Sequence, residues 1–276
     1  ERDTPYVPSP LLYGDLLYFN KSNSAVLTCL DAKTGKPLLE AARRGFAAEG
    51  FAGGVLNIGG GALGPFAYVM PALSKTGANA AFYSDTFRPA GITRLKLGAM
   101  TFGERDGAPF FHCHALWTET DGDLHGGHIL PEESIVAESF EVAAFGIDGA
   151  MFIAEPDPET NFKLFGPVAR TVTDADTTSR AFALRLRPNQ DFAAALESFC
   201  RQHGILRARI HGGVGSTIGA HFSGDRTVVP FATELAVTAG AIAPGADGAL
   251  HAELDIALVD YLGGIARPID EWLDRN

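Results

Sequence analysis

An internal duplication constrains this chain more than any other feature. Asp106-Gly107-Ala108 is followed, six residues later, by Ala115-Leu116. Asp247-Gly248-Ala249 is followed, seven residues later, by Ala257-Leu258. Aligned without a gap from the shared Asp-Gly-Ala, Ala115 meets Ile256 and Leu116 meets Ala257; a one-residue slip pairs the Ala-Leu dipeptides instead. Upstream, Gly98-Ala99-Met100 matches Gly240-Ala241-Ile242. A sequence written twice predicts two related units, and 276 residues are enough for two ordinary domains.

Each copy also places a helix before a glycine-rich strand end. In the first, Pro37 opens the helix, Leu39, Ala42 and Phe46 recur at helical spacing, and Gly50 stops it. The strand Gly54-Val55-Leu56-Asn57-Ile58 runs into Gly59-Gly60-Gly61. In the second, Asn189 is a candidate cap. Phe192, Leu196, Phe199 and Cys200 form one apolar face, and Gly204 ends the helix. The strand Ala208-Arg209-Ile210 then meets Gly212-Gly213-Val214-Gly215. The expected fold is α/β in the broad sense (α+β): two tandem units, each a mostly antiparallel sheet with one packed helix.

Residues 154–162, with Pro156, Pro158 and three acids, read as an exposed loop, and residues 171–179 as the linker. The boundary falls near residue 175. The expected division is an N-terminal extension over 1–24, a first unit over 25–172 and a second over 178–276. Residues 1–36 locally resemble one blade of a quinoprotein-type β-propeller. A single blade cannot close a propeller, so these residues are expected to add strands to the first unit.

Acidic side chains outnumber basic ones, 33 to 22, for a net charge of −11, and no run of three Lys/Arg occurs. This disfavours nucleic acid and anionic membrane surfaces as partners. Cys29, Cys113 and Cys200 are odd in number and lack a CxxC, which fits free thiols in a reducing compartment. The uncharged run Phe51–Ser74 is long enough to span a bilayer but is broken by six glycines and two prolines, so it reads as strands and tight turns. A soluble, cytoplasmic protein is expected, the charged start Glu1-Arg2-Asp3 being unlike a leader.

Four of the eight histidines lie within 17 residues: His112, His114, His125 and His128. Apolar segments flank Thr120-Asp121-Gly122, which predicts a β-hairpin. His112 and His114 share a strand face, with Cys113 opposite. A two-residue turn puts His128 on the wrong face. A three-residue loop ending with Gly122 in the left-handed region sets His114 against His128 and collects His112, His114 and His128 together, with His125 on the other face. Three imidazoles on one face suit Zn²⁺, with a fourth position open for a small molecule. Gly126 and Gly127 allow close approach. The gapless alignment sets Glu253 at His112 and Asp255 at His114, so the second unit is not expected to repeat the site.

Other signals are weaker. Gly59 to Gly64 matches GxGxxG, but Pro65-Phe66-Ala67-Tyr68-Val69-Met70-Pro71 follows as a strand where a dinucleotide site needs a helix. Gly212 to Thr217 reads as a tight turn flanked by His211 and His221. Glu132 and Glu133 follow His128 closely, and Glu133 is a candidate general base or ligand-orienting carboxylate.

Phe111-His112-Cys113-His114, Trp117, Asp121-Gly122 and Gly126-Gly127-His128-Ile129-Leu130-Pro131-Glu132 together resemble the signature of the plant-and-prokaryote conserved (PPC) domain. Leu186-Arg187-Pro188-Asn189, the segment Arg209–Ser216 and the segment Leu254–Tyr261 resemble the same domain in a second copy, so the likeness covers roughly residues 25–265. The resemblance implies an antiparallel α/β unit that associates as a trimer, and zinc on the residues matching His112, His114 and His128. It also implies the DNA-binding label carried by plant members. This sequence has no Arg-Gly-Arg-Pro hook, the element that enters the minor groove. The family continues with a further strand after the Asp260-Tyr261 region, where this chain reaches Pro268–Leu273. The expectation is a zinc-binding tandem protein that binds or transforms a small molecule, by hydrolase or lyase chemistry if it is an enzyme. A DNA-associated regulator and an oligomeric scaffold are the alternatives.

Overall fold

The computed structural model describes residues 11–13, 16–18, 37–79, 81–140, 142–172, 180–223 and 226–266. Strands β1 (Leu11–Tyr13) and β2 (Leu16–Tyr18) pair with each other as a separate two-stranded sheet. The rest of the propeller-like segment, the linker over 173–179 and the Pro268–Leu273 segment lie outside the described residues.

In the first unit, helix α1 (Leu38–Ala48) begins just after Pro37 and buries Leu38, Ala41, Ala42, Gly45 and Phe46, a stripe at helical period. Strands β3 (Gly54–Ile58) and β4 (Gly61–Leu63) follow, with β3 burying alternate residues. The breaker-rich run continues as β5 (Tyr68–Val69) and β6 (Pro71–Leu73), and β6 pairs with β7 (Ala81–Tyr83). The long strands β8 (Thr93–Arg105) and β9 (Ala108–Thr118) form the central hairpin, and β10 (Leu124–Ile129) returns along β9. Both β3 and β4 pair with β8, along different stretches of it. The sheet is extended by β11 (Val136–Glu138), β12 (Val142–Gly146), β13 (Ala150–Pro156) and β14 (Lys163–Ala169). The core lies between α1 and one sheet face. Phe46 packs on Phe102, which stacks on Phe111, and Trp117 meets Phe66 and Tyr68 edge-on.

Residues 154–162 are not all loop. Glu155 and Pro156 end β13, opposite Leu164 and Lys163 of β14. Proline is tolerated there because the β13–β14 pair lies at the margin of the sheet.

The second unit repeats the plan. Helix α2 (Phe192–Gln202) packs on strand β15 (Ala208–Ile210) and on a long hairpin, with whose first arm both β15 and β16 (Gly213–Gly215) pair. The small hairpin β17 (Ala220–His221) and β18 (Thr227–Val228) precedes that pair, β19 (Thr233–Pro244) and β20 (Leu250–Asp260). A further strand, β21 (Ile265–Ala266), pairs with β20, so the sheet continues past Asp260-Tyr261. The α2 cap is Asp191, whose carboxylate accepts from the Ala194 N–H at 2.8 Å, and not Asn189. Asn189 instead takes a left-handed turn, φ +61°.

The two central hairpins share a bulge. The register slips between Leu95 and Leu97 in one and between Val237 and Ala239 in the other. Aligned on these bulges, Ala99 opposite His114 corresponds to Ala241 opposite Glu253. His114 is thus matched by Glu253 and His112 by His251, two residues from the gapless sequence alignment, because the second hairpin is shorter: 15 positions separate Thr238 from Glu253, where 18 separate Lys96 from His114. Strands β19 and β20 lie over β8, β9 and β10 on the histidine face of the first sheet.

Candidate metal centre

The histidine arrangement follows from the hairpin loop. The N–H of Gly122 donates to the Glu119 carbonyl, and Gly122 is left-handed at φ +87°, so the loop has three residues. That loop sets His128 opposite His114 and His125 opposite Trp117. His112, two residues before His114, joins the same face. Cys113 points into the α1-side core, where burial pushes its thiol pKa up. The two glycines do allow close approach. A Cβ on Gly126 would lie 3.2 Å from Val259 of the second unit, and one on Gly127 would lie 2.6 Å from the Val69 carbonyl oxygen.

The second unit adds a fourth group. Glu234, at the start of β19, brings its Oε2 against His114 Nε2. His114 is 2% exposed, His128 7% and Glu234 7%; His112 is half-buried. His114 Nε2 lies 3.0 Å from His112 Nε2 and 3.3 Å from His128 Nδ1. The four donor atoms lie within 4.8 Å of one another. Donors about 2.0–2.1 Å from a tetrahedral zinc ion stand roughly 3.4 Å apart, so the set is the right size for one ion.

The tautomer of His114 sharpens this point. Its Nδ1 lies 2.8 Å from the carbonyl oxygen of Leu235, which can only accept, so Nδ1–H is the donor. In the neutral ring, Nε2 then carries a lone pair. That lone pair faces a carboxylate oxygen in a buried setting. Two acceptors in contact require a cation between them, a proton or a metal ion. A backbone carbonyl orienting the distal nitrogen is also how ligating histidines are usually held.

The field of the site favours neutral rings. Burial holds the pKa values of His112 and His128 well below the usual histidine value. For His112 the neighbouring His114 and His128 add to this, for His128 the neighbouring His114, and Arg105 adds to both. Neutral imidazole is the ligating form. Tyr83 stands edge-on to His128 with ring centroids 5.3 Å apart. Burial, then the Glu234 charge, pushes its phenol pKa up, so it stays protonated.

The structure brings His112, His114 and His128 together. It places Glu133 elsewhere: its carboxylate pairs with Arg88 at 2.6 Å on the surface, outside the group of converging donors. His125 falls in a second, more exposed group with Glu119 and Asp121 at the hairpin tip. Glu253 and His251 are exposed, and His251 pairs with Asp247. Glu234 was not legible in the sequence. It is one acid among 33, 106 positions after His128, and only the packing of the two units brings it to the histidines. Among the described residues, no helix is long and apolar enough to cross a membrane.

Residues 173–266 match the Plants and Prokaryotes Conserved (PCC) domain. No curated protein matches the sequence. Among solved structures, the chain is similar to a metal-containing protein from Archaeoglobus fulgidus at 20% identity and a TM-score of 0.40, covering 54% of this chain and 96% of that one. It is also similar to a plant- and prokaryote-conserved (PPC) protein from Pyrococcus horikoshii at 17% identity and a TM-score of 0.41, covering 58% of this chain and 100% of that one. A third, from Ralstonia eutropha JMP134 and named as a candidate for DNA binding, is 16% identical with a TM-score of 0.36, covering 48% of this chain and 85% of that one. The PCC match thus falls on the second unit of this chain, and the first unit repeats the same order of helix and long hairpin around the histidines.

Proposed function

We propose that this protein binds one divalent metal ion of the zinc class through His112, His114, His128 and Glu234. The observation that carries the reading is the convergence of three imidazoles and the buried Glu234 carboxylate, whose four donor atoms lie within 4.8 Å of one another. Three imidazoles and one carboxylate are a borderline donor set that suits zinc and its neighbours better than calcium or magnesium. When bound, such an ion supplies a fixed positive charge and a Lewis-acid centre. The net charge of −11 speaks for a cation, and against a phosphate backbone, as the partner.

The test is metal analysis of protein purified without chelator and then loaded with zinc. Wild type should retain about one equivalent after desalting. His114→Ala should lose it, and His251→Ala, on the surface, should keep it. Wild-type protein that retains no zinc would refute the reading.

A further inference from the structure

Resting on that reading, we infer that the ion is a structural cross-link between the two units, with Glu234 as the ligand that the second unit supplies. The donors divide three to one between the units. His112 and His114 come from β9, His128 from β10 and Glu234 from β19. Adjacent residues of β19 hold both nitrogens of one ring: Leu235 through its carbonyl on Nδ1, and Glu234 through its carboxylate on Nε2. An ion at this point fastens the start of β19 to the middle of β9.

The surroundings fit a closed site. Catalytic zinc sites hold three protein ligands and keep a position for water or substrate, whereas structural sites are filled by four. Here Glu234 takes the fourth place. Tyr83 lies against His128, and the Phe165 ring is 6.5 Å from that of His112. The void beside the cluster, lined by His114, Gly127, Glu234 and Ala257, is about the size of one water molecule. It does not admit a substrate.

The second unit also has reason to depend on such a tie. Among the described residues, its buried core is split into two small clusters, one around Leu196, Cys200, Ile242 and Leu250, the other around Leu235, Val237, Leu258 and Ala266. The first unit has one continuous and much larger core. Small cores are marginal, and a metal bound only in the folded state contributes its binding energy to folding.

Hydrogen exchange followed by mass spectrometry on the full chain, zinc-loaded and zinc-free, tests the inference. Zinc removal should speed exchange at least tenfold in peptides covering β19, while α1 stays protected. Glu234→Ala should bind zinc at least tenfold more weakly, through the three histidines. Even when saturated with zinc, its β19 should exchange like that of the zinc-free wild type. If this variant also loses protection at α1, Glu234→Gln, which keeps the side chain's size, replaces it in the same comparison. Zinc binding without any change in β19 exchange would overturn the cross-link and leave the metal site standing. Glu234→Ala that binds zinc as tightly as wild type and stays protected at β19 would do the same. Wild type that binds no zinc would instead overturn the metal reading itself.

Discussion

His112 and His128 sit where a positive charge is least welcome, buried beside His114 and within the field of Arg105. Their folded-state pKa values lie below the unfolded value of about 6.5. As pH falls through that value, the unfolded chain takes up protons that the folded chain refuses, so stability drops on acidification. Above it, both states carry neutral rings and the effect vanishes. The zinc-free protein should therefore lose stability from about pH 6.5 downward, approaching about 1.4 kcal/mol per pH unit for each of the two rings. The exposed His251–Asp247 pair acts in the opposite sense, because its partner raises the His251 pKa, but it faces solvent and contributes little. Urea unfolding between pH 8 and pH 5 checks this, and His128→Gln should flatten the slope. A wild-type slope unchanged by that substitution would show that other groups set the pH dependence. At this scale the sequence was informative about three of the four converging donors, because a strand alternates its faces and a three-residue loop fixes the register. It was silent on Glu234, whose role depends on a contact between units.

The helices and hairpins show where local chemistry decides and where it does not. Both helices were legible from apolar spacing and from the residues that bound them, yet the α2 cap moved from Asn189 to Asp191. Either residue type can cap a helix. The choice fell to Asp191 because Asn189 takes the left-handed turn that leads into the helix. Asp191→Ala should thus cost about 1 kcal/mol of stability, and Asn189→Gly should be close to neutral, both read by urea denaturation. Equal losses at the two sites would contradict this assignment. In the β9–β10 hairpin, the Gly127 side faces the Val69 carbonyl so closely that Gly127→Ala must push β10 away from β5. His128 pairs with Val69 in that ladder, so the displacement should weaken zinc binding as well as stability, and competition with a chelator dye measures it. The end of β13 could not be read from sequence, since Pro156 and its acidic neighbours look like loop until a sheet margin accommodates them.

At the scale of the molecule, the two units hold different places: one supplies the histidines, and the other covers them. The covering is held by polar contacts as well as by the candidate ion. Asn57, on β3, donates both amide hydrogens across the boundary, to the carbonyls of His211 and Thr238, each at 2.7 Å. The Phe145 ring packs on His211, with centroids 4.1 Å apart. In the sequence Asn57 is only a polar residue inside an apolar strand. Its use becomes visible once Thr238, the bulged residue of β19, turns its carbonyl toward β3. Asn57→Ala removes the donor from two carbonyls at an interface that the second unit needs. The His211 bond is exposed and the Thr238 bond is part-buried, so water can replace the donor in part and the variant should lose about 1 kcal/mol. The loss should fall on the association of the units more than on the first unit's own core. Calorimetry distinguishes the two. Zinc-loaded wild type should unfold in one transition, whereas zinc-free Asn57→Ala, deprived of both ties, should unfold in two, the earlier one belonging to the second unit. A single transition in that doubly weakened protein, with its calorimetric and van't Hoff enthalpies equal, would mean that the apolar contacts of β19 and β20 alone suffice to couple the halves.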